Sequence, residues 1–273
     1  MAGTEVQTAE LGKYIAKCQH RKTSRRPGSI FTSENPPLLR KGQTNRVLFY
    51  VGCFNPPHLG HYNILRRAFE ESRDINVIAA IILPLDDDFV RAKCDRQGQS
   101  LVLRKSKRAR LWQSDPRFRP EWWAYSRSTS AFNSLMERLE DAIERDGFEI
   151  RFTAVFGPDH VSRRESYDGR TWYCHETITS DAGRRSNLVK PDGPDRATVK
   201  VCHHLWEKDV WVRFVPADAD PLDVSSTKIR HLVEGATMSS DRELCEKLKG
   251  LVLSPEILAD MISDRRFDLF ALS

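Results

Sequence analysis

A chain of 273 residues and 31.4 kDa fits one α/β domain with an N-terminal extension better than two full domains. Hydrophobic residues at 40% and charged residues at 30% exclude a chain disordered throughout. The 43 basic residues outnumber the 38 acidic ones by five, an excess that suits phosphate-bearing ligands but is too small to argue for nucleic acid.

The longest apolar run, residues 77–83, stops at Pro84, far short of the roughly 20 residues that a membrane span needs, so no membrane partner is expected. Residues 1–10 lack the basic start and apolar stretch of a secretory leader, and Glu5 and Glu10 disfavour a mitochondrial one. None of the six cysteines forms a C-x-x-C pair, so neither a zinc ribbon nor a disulfide framework is expected. The reading is a reducing compartment, cytoplasmic or nuclear, with no metal-ligating set assigned.

Along the chain, residues 1–44 read as a basic N-terminal extension, partly disordered. It comprises a short amphipathic stretch at 10–18, a basic run at 19–28 and a Ser/Pro/Asn segment to Pro37. The domain is expected over 45–273. Residues 47–51 form an apolar, β-prone run and 52–57 carry turn chemistry. Residues 58–73 predict a helix with Ile64, Leu65, Ala68 and Phe69 on one face, and 75–83 a second buried strand. A β-turn-α-β opening is the signature of a parallel sheet with a right-handed crossover, so the fold class is α/β, a doubly wound parallel sheet with C-terminal helices.

Residues 86–100, with three consecutive aspartates, read as a surface loop. Residues 101–113 predict a very basic helix with Arg104, Lys107 and Arg108 on one face, by default a solvated one. The periodicity of Leu135, Leu139, Ala142 and Ile143 predicts a helix over 128–146, followed by a strand over 149–156. Residues 178–196, rich in Ser, Asp, Gly, Arg and Pro, read as an exposed insertion. A strand over 210–215 and helices over 225–234, 239–249 and 255–263 finish the chain.

Two segments carry chemistry. The first, residues 52–61, reads G-C-F-N-P-P-H-L-G-H between a buried strand and a helix. Ligands of doubly wound sheets bind outside the carboxyl ends of the strands, where helix N-termini favour phosphate. His58 and His61, three apart on the first helical turn, can donate N–H bonds to phosphate oxygens. Gly60 lets a ligand approach the backbone and Gly52 relieves the strand-to-turn corner. The pair alone would be a capped helix with two surface histidines. The second segment, Val224 to Arg230, reads V-S-S-T-K-I-R and opens a helix. Ser225 or Ser226 suits the N-cap, the N–H groups of Ser226 and Thr227 suit an anion, and Arg230 one turn on can fork onto phosphate. On its own it would be an ordinary capped helix with a surface arginine.

Taken together, and in this order, the two segments resemble the signatures of the nucleotidylyltransferase superfamily, H-x-G-H and I-S-S-T-x-x-R, with Val224 in place of Ile. The F-N-P form, with Asn55 rather than Asp, resembles nicotinamide and nicotinate mononucleotide adenylyltransferases, in particular fungal members and paralogues. The resemblance covers about residues 45–262. It implies a Rossmann-like fold, with ATP and a nucleotide monophosphate as substrates and Mg²⁺ on the ATP phosphates. His58, His61 and Arg230 would be catalytic. Gly52, Phe54, Asn55, Gly60, Asp159, Ser225, Ser226 and Thr227 would bind ATP.

The weaker matches lie between the two segments. Gly157-Pro158-Asp159 resembles the family's G-x-D, whose carboxylate meets ribose hydroxyls, although Asp159 also suits a helix N-cap. Lys93 lies where the family places a lysine on the mononucleotide phosphate, although a solvated loop fits it too. Trp122 lies where the family stacks an indole on the pyridine ring, with core packing as the rival reading. Adjacent tryptophans on a strand point to opposite faces, so at most one of Trp122 and Trp123 faces the site. The implied activity is transfer of AMP from ATP to the mononucleotide, making NAD or its deamido form and pyrophosphate. The alternatives are another phosphate acceptor, or a paralogue that binds or slowly hydrolyses ATP in a regulatory role.

Overall fold

The computed structural model describes residues 6–19, 30–31, 34–157, 172, 174–183, 200–203, 211–218, 222–236 and 240–270. The elements are β1 (Thr8–Glu10), α1 (Leu11–Gln19), β2 (Leu38–Arg40), β3 (Thr44–Gly52), α2 (Leu59–Glu70), β4 (Val77–Pro84), α3 (Asp87–Arg96) and α4 (Lys105–Gln113). They continue with β5 (Trp122–Ala124), α5 (Thr129–Arg145), β6 (Glu149–Phe156), β7 (Glu176–Ser180), β8 (Lys200–His203) and β9 (Trp211–Val215). Three helices follow, α6 (Ser226–Gly235), α7 (Asp241–Leu248) and α8 (Pro255–Phe270).

Seven strands form one sheet in the order β5-β4-β3-β6-β7-β9-β8. Every neighbouring pair is parallel except β8 with β9. The chain builds outward from β3 through β4 to β5, then returns to β6 on the other side of β3. Strand order therefore reverses between β3 and β6, the switch point beyond whose carboxyl ends ligands of such sheets bind. The doubly wound α/β class stands.

The strands read as near-continuous apolar runs because both faces of the sheet are buried. Val47 and Phe49 of β3 enter one core with Ala79, Ile81 and Leu83 of β4, beneath α1 and α5. Leu48 and Tyr50 enter the other with Ala80 and Ile82, beneath α2 and α4. A third cluster joins Leu101, Leu103 and Leu111 to α6, α7 and α8.

Three expectations are corrected. The folded domain does not start at residue 45. Leu11 and Ile15 of α1 are fully buried, Arg138 of α5 donates to the Cys18 carbonyl, and β1 pairs with β2. An amphipathic helix of nine residues is marginal alone and forms here because its apolar face docks on α5. The basic run, apart from Gln19, falls in 20–29, outside the described residues. Residues 86–100 are not a loop. The aspartates occupy the N-cap and first turn of α3, where negative charge favours a helix, and Val90 and Cys94 are buried one turn apart. Residues 178–180 belong to β7, a buried strand whose polar composition concealed it. Residues 184–196 of the expected insertion lie outside the described residues. Among the described residues no helix is long and apolar enough to cross a membrane.

Candidate active site

The loop after β3 turns sharply into α2. A Cβ on Gly52 would lie 2.8 Å from the Phe54 ring, so this glycine is what lets the ring fold back beneath the loop. Phe54 itself adopts a left-handed φ of 46°, uncommon for a bulky residue and held by packing on Tyr50, His61 and Trp112. Asn55 fastens the loop to the segment before α4. Its Oδ1 accepts from the Leu103 N–H at 2.9 Å and its Nδ2 donates to the Leu101 carbonyl at 2.8 Å. Both side chains are 1% exposed. Phe54 and Asn55 therefore turn their side chains into the fold and support the loop from below.

His58 caps α2 with extended backbone, and its N–H donates to Nδ1 of His61 at 3.2 Å. The two rings stack with centroids 3.6 Å apart. A neutral His61 that accepts at Nδ1 carries its proton on Nε2, and its ring is half-buried. The α2 terminus is not wholly open to a ligand. The Leu59 N–H donates to the Leu251 carbonyl at 2.9 Å. On the flank, a Cβ on Gly183 would stand 2.5 Å from the Gly60 carbonyl oxygen and 2.5 Å from Ile64. The turn after β7 thus seats backbone to backbone against the first turn of α2.

The second motif closes onto the same loop. Ser225 is the N-cap of α6, its Oγ accepting from the Lys228 N–H at 3.2 Å. Ser226 donates its hydroxyl to the Pro56 carbonyl at 3.0 Å. Arg230 donates from Nη1 to the Asn55 carbonyl at 2.7 Å, from Nη2 to Gln97 and Thr227, and from Nε to Gln99. It is 2% exposed, and every one of these partners is neutral. Burial pulls its guanidinium below the ordinary arginine value, against the opposing effects of Cys94, Cys53 and the Glu234 carboxylate, none of which is hydrogen-bonded to it among the described residues. A buried cation with only neutral acceptors is costly unless an anion compensates it. This one lies behind the loop that two helix N-termini share.

A second arginine, Arg108, is buried at 0% exposure on the other side of the loop. It donates to the carbonyls of Cys53 at 2.6 Å, Leu85 at 2.7 Å and Leu103 at 2.9 Å, and pairs with Asp87 at 2.6 Å. Next to it Lys105, also buried, pairs with Asp86 at 2.7 Å, and both Asp86 oxygens accept the Thr129 N–H that opens α5. Burial pulls the Lys105 ammonium down, against the opposing effect of Asp86. Burial alone would raise the Asp86 carboxyl, and the contacts with Lys105 and Thr129 outweigh it. Sequence reasoning placed Arg108 on a solvated face. The overlooked signal was phase: Lys105, Arg108, Ala109 and Trp112 follow the i, i+3, i+4, i+7 rule of an inward face, and all four are buried.

Of the weaker matches, Lys93 stands at the loop, its Nζ 3.9 Å from Cys53 Sγ. Trp122 is 1% exposed in the core with Phe69, Tyr62 and Phe118 around it, so core packing, the rival reading, describes it. Trp123 packs on the opposite face of the sheet, edge to face with Tyr125. Asp159 lies outside the described residues. Among the described residues no three His, Cys, Asp or Glu converge as metal ligands.

A parallel sheet with a strand-order reversal, two helix N-termini meeting at one loop, a histidine pair and buried cations around that loop define a nucleotidyltransferase. The cytidylyltransferase-like family model matches residues 49–232, and the chain belongs to that family. No curated protein matches it. Among solved structures it is similar to the Plasmodium falciparum nicotinic acid mononucleotide adenylyltransferase complexed with NaAD. The identity is 10% and the TM-score 0.47, over 84% of this chain and 98% of that one. The same enzyme complexed with APC gives 11% identity and a TM-score of 0.45 over the same shares.

Proposed function

We propose that the protein is a nicotinamide or nicotinate mononucleotide adenylyltransferase, joining AMP from ATP to the mononucleotide and releasing pyrophosphate. The observation that carries the proposal is the meeting of the two motifs on one loop around Arg230, a buried cation whose hydrogen-bond partners are all neutral. The site's donors are N–H groups and cations, which suit phosphate oxygens better than a bare divalent ion. Mg²⁺ accordingly belongs to the substrate as Mg-ATP.

The acceptor phosphate is already an anion, so no protein nucleophile is needed. Its oxygen forms a bond to the α-phosphorus of ATP as the bond from that phosphorus to the leaving pyrophosphate breaks. Catalysis is then alignment plus stabilisation of charge on the phosphate oxygens. His61 donates from Nε2, with His58 stacked against it to fix the ring. The N–H groups of Ser226 and Thr227 receive phosphate oxygens at the α6 terminus. Arg230 supplies positive charge from behind the loop. Lys93 approaches from the acceptor side, where it suits the mononucleotide phosphate.

The test is incubation of the protein with Mg-ATP and either mononucleotide, reading the product by mass. A dinucleotide whose formation requires one of the two supports the proposal. Tight ATP binding with no dinucleotide from either would assign the site to a different acceptor.

A further inference from the structure

An ion pair between the buried Arg108 and the partly exposed Asp87 helps hold the phosphate loop and α3 to each other. Arg108 lies beneath the loop and reaches four segments at once. Its Nη1 takes the Cys53 carbonyl of the loop, and one Nη2 hydrogen takes the Leu85 carbonyl that follows β4. Its Nε takes the Leu103 carbonyl, and Nη2 also takes Asp87 Oδ1 in the first turn of α3. The same Asp87 oxygen accepts the Lys105 N–H that opens α4, at 2.6 Å. A lysine at 108 would place one ammonium where a planar fork now serves four acceptors.

Six residues beyond Asp87 on α3, Lys93 returns to the loop and brings its Nζ to Cys53 Sγ. The helix is therefore fastened to residue 53 at two points, through Arg108 at the main chain and through Lys93 at the side chain. Asn55 adds a third link, from the loop to residues 101 and 103. A displacement of the Cys53 carbonyl must be carried to Asp87 and hence to α3, because the guanidinium between them is rigid and enclosed.

We infer that Arg108 and Asp87 are a positioning pair, which transmits the seating of a nucleotide on the phosphate loop to α3 and so sets where Lys93 stands. Neither residue touches substrate. The inference rests on the reading of the loop as a nucleotide triphosphate site.

Hydrogen exchange in the full-length protein, with and without a non-hydrolysable ATP analogue, tests it. In the wild type the analogue should slow exchange of the α3 amides, residues 87–96, about tenfold or more. Asp87→Asn should still bind the analogue, with Kd changed by no more than about threefold. It should lose the protection of α3 and turn over about a hundredfold more slowly, the scale of a small misplacement of reacting groups. Arg108→Lys should behave alike and serves where Asp87→Asn does not fold. A wild type that binds the analogue without slowing α3, or an Asp87→Asn protein that keeps the protection, would overturn the inference alone. A wild type that binds no nucleotide would overturn the reading of the site and the inference with it.

Discussion

Two arginines are buried against the same loop, and the molecule treats them differently. Arg108 has a carboxylate partner, Asp87, and three carbonyls. Among the described residues Arg230 has four neutral oxygen acceptors and no hydrogen-bonded carboxylate. A buried charge with its own counter-ion is a structural element, complete without a ligand. A buried guanidinium whose hydrogen bonds all go to neutral oxygens, with the Glu234 carboxylate acting only through space, keeps more of its charge for a ligand. The two differ in nothing that residue type alone reveals, since both are arginines on helices that flank the loop after β3. Chemistry is assigned by what surrounds each guanidinium, and that depends on tertiary contacts across 21 to 175 residues of sequence.

Removing each arginine should separate the two roles. Arg230→Met should weaken nucleotide binding and lower turnover on the order of a thousandfold, the scale of losing a preorganised cation at a developing charge. Its partners are neutral, so the stability loss should stay near about 2 kcal/mol in denaturant unfolding. Arg108→Met should show the reverse emphasis. It strands Asp87 and should cost about 3 kcal/mol, the low end for a broken buried pair because Asp87 is 37% exposed. Equal stability losses with equal losses of nucleotide affinity would erase the distinction.

His61→Ala should lower turnover about a hundredfold while ATP affinity moves far less, because its Nε2 donor matters most as charge develops on the departing phosphate. Comparable losses in single-turnover rate and in ATP Kd would assign His61 to ground-state binding. Gly183→Ala is a subtler probe of the same terminus. Its methyl would meet the Gly60 carbonyl at 2.5 Å, so α2 or the turn after β7 must shift. The expected stability cost is about 1–3 kcal/mol, read as a fall in Tm.

The smallest effect concerns acid stability. Asp115 is buried, which alone would raise its carboxyl, but the Arg117 guanidinium and the N–H groups of Arg117 and Ser254 outweigh burial and hold it below the usual carboxylate range. A depressed carboxyl contributes stability that is fully present above the unfolded value, about pH 4, and is lost as pH falls through the folded one. Wild type should therefore lose stability more steeply than Asp115→Asn below about pH 4 in urea titrations, and parallel slopes would refute the assignment.

The sequence made the sheet and the loop after β3 legible because both follow local rules. The runs in β3 and β4 are apolar on both faces, and β6 was read to its exact residues, 149–156. The motifs at 52–61 and 224–230 sit at a strand end and a helix start, where local chemistry dictates geometry. What escaped was held together by distant partners. Thr179 and Ser180 fall in the expected insertion at 178–196, yet both are buried in β7 between β6 and β9. The aspartates at 86–88 read as a surface loop, yet Asp86 pairs with Lys105 and Asp87 with Arg108, while Asp88 stays exposed. Trp122 had two readings on sequence and only packing separated it from Trp123. Asn55 and Arg230 were singled out, yet their partners at Leu101, Leu103, Gln97 and Gln99 carry no motif.

The most direct measurement is calorimetric titration of a non-hydrolysable ATP analogue with Mg²⁺ into wild type and Arg230→Met. Binding by wild type that weakens a hundredfold or more in the variant, about 2.7 kcal/mol, is expected if the Arg230 guanidinium serves the triphosphate. Equal affinity in the two proteins would show that Arg230 is a structural residue like Arg108 and that the anion site lies elsewhere.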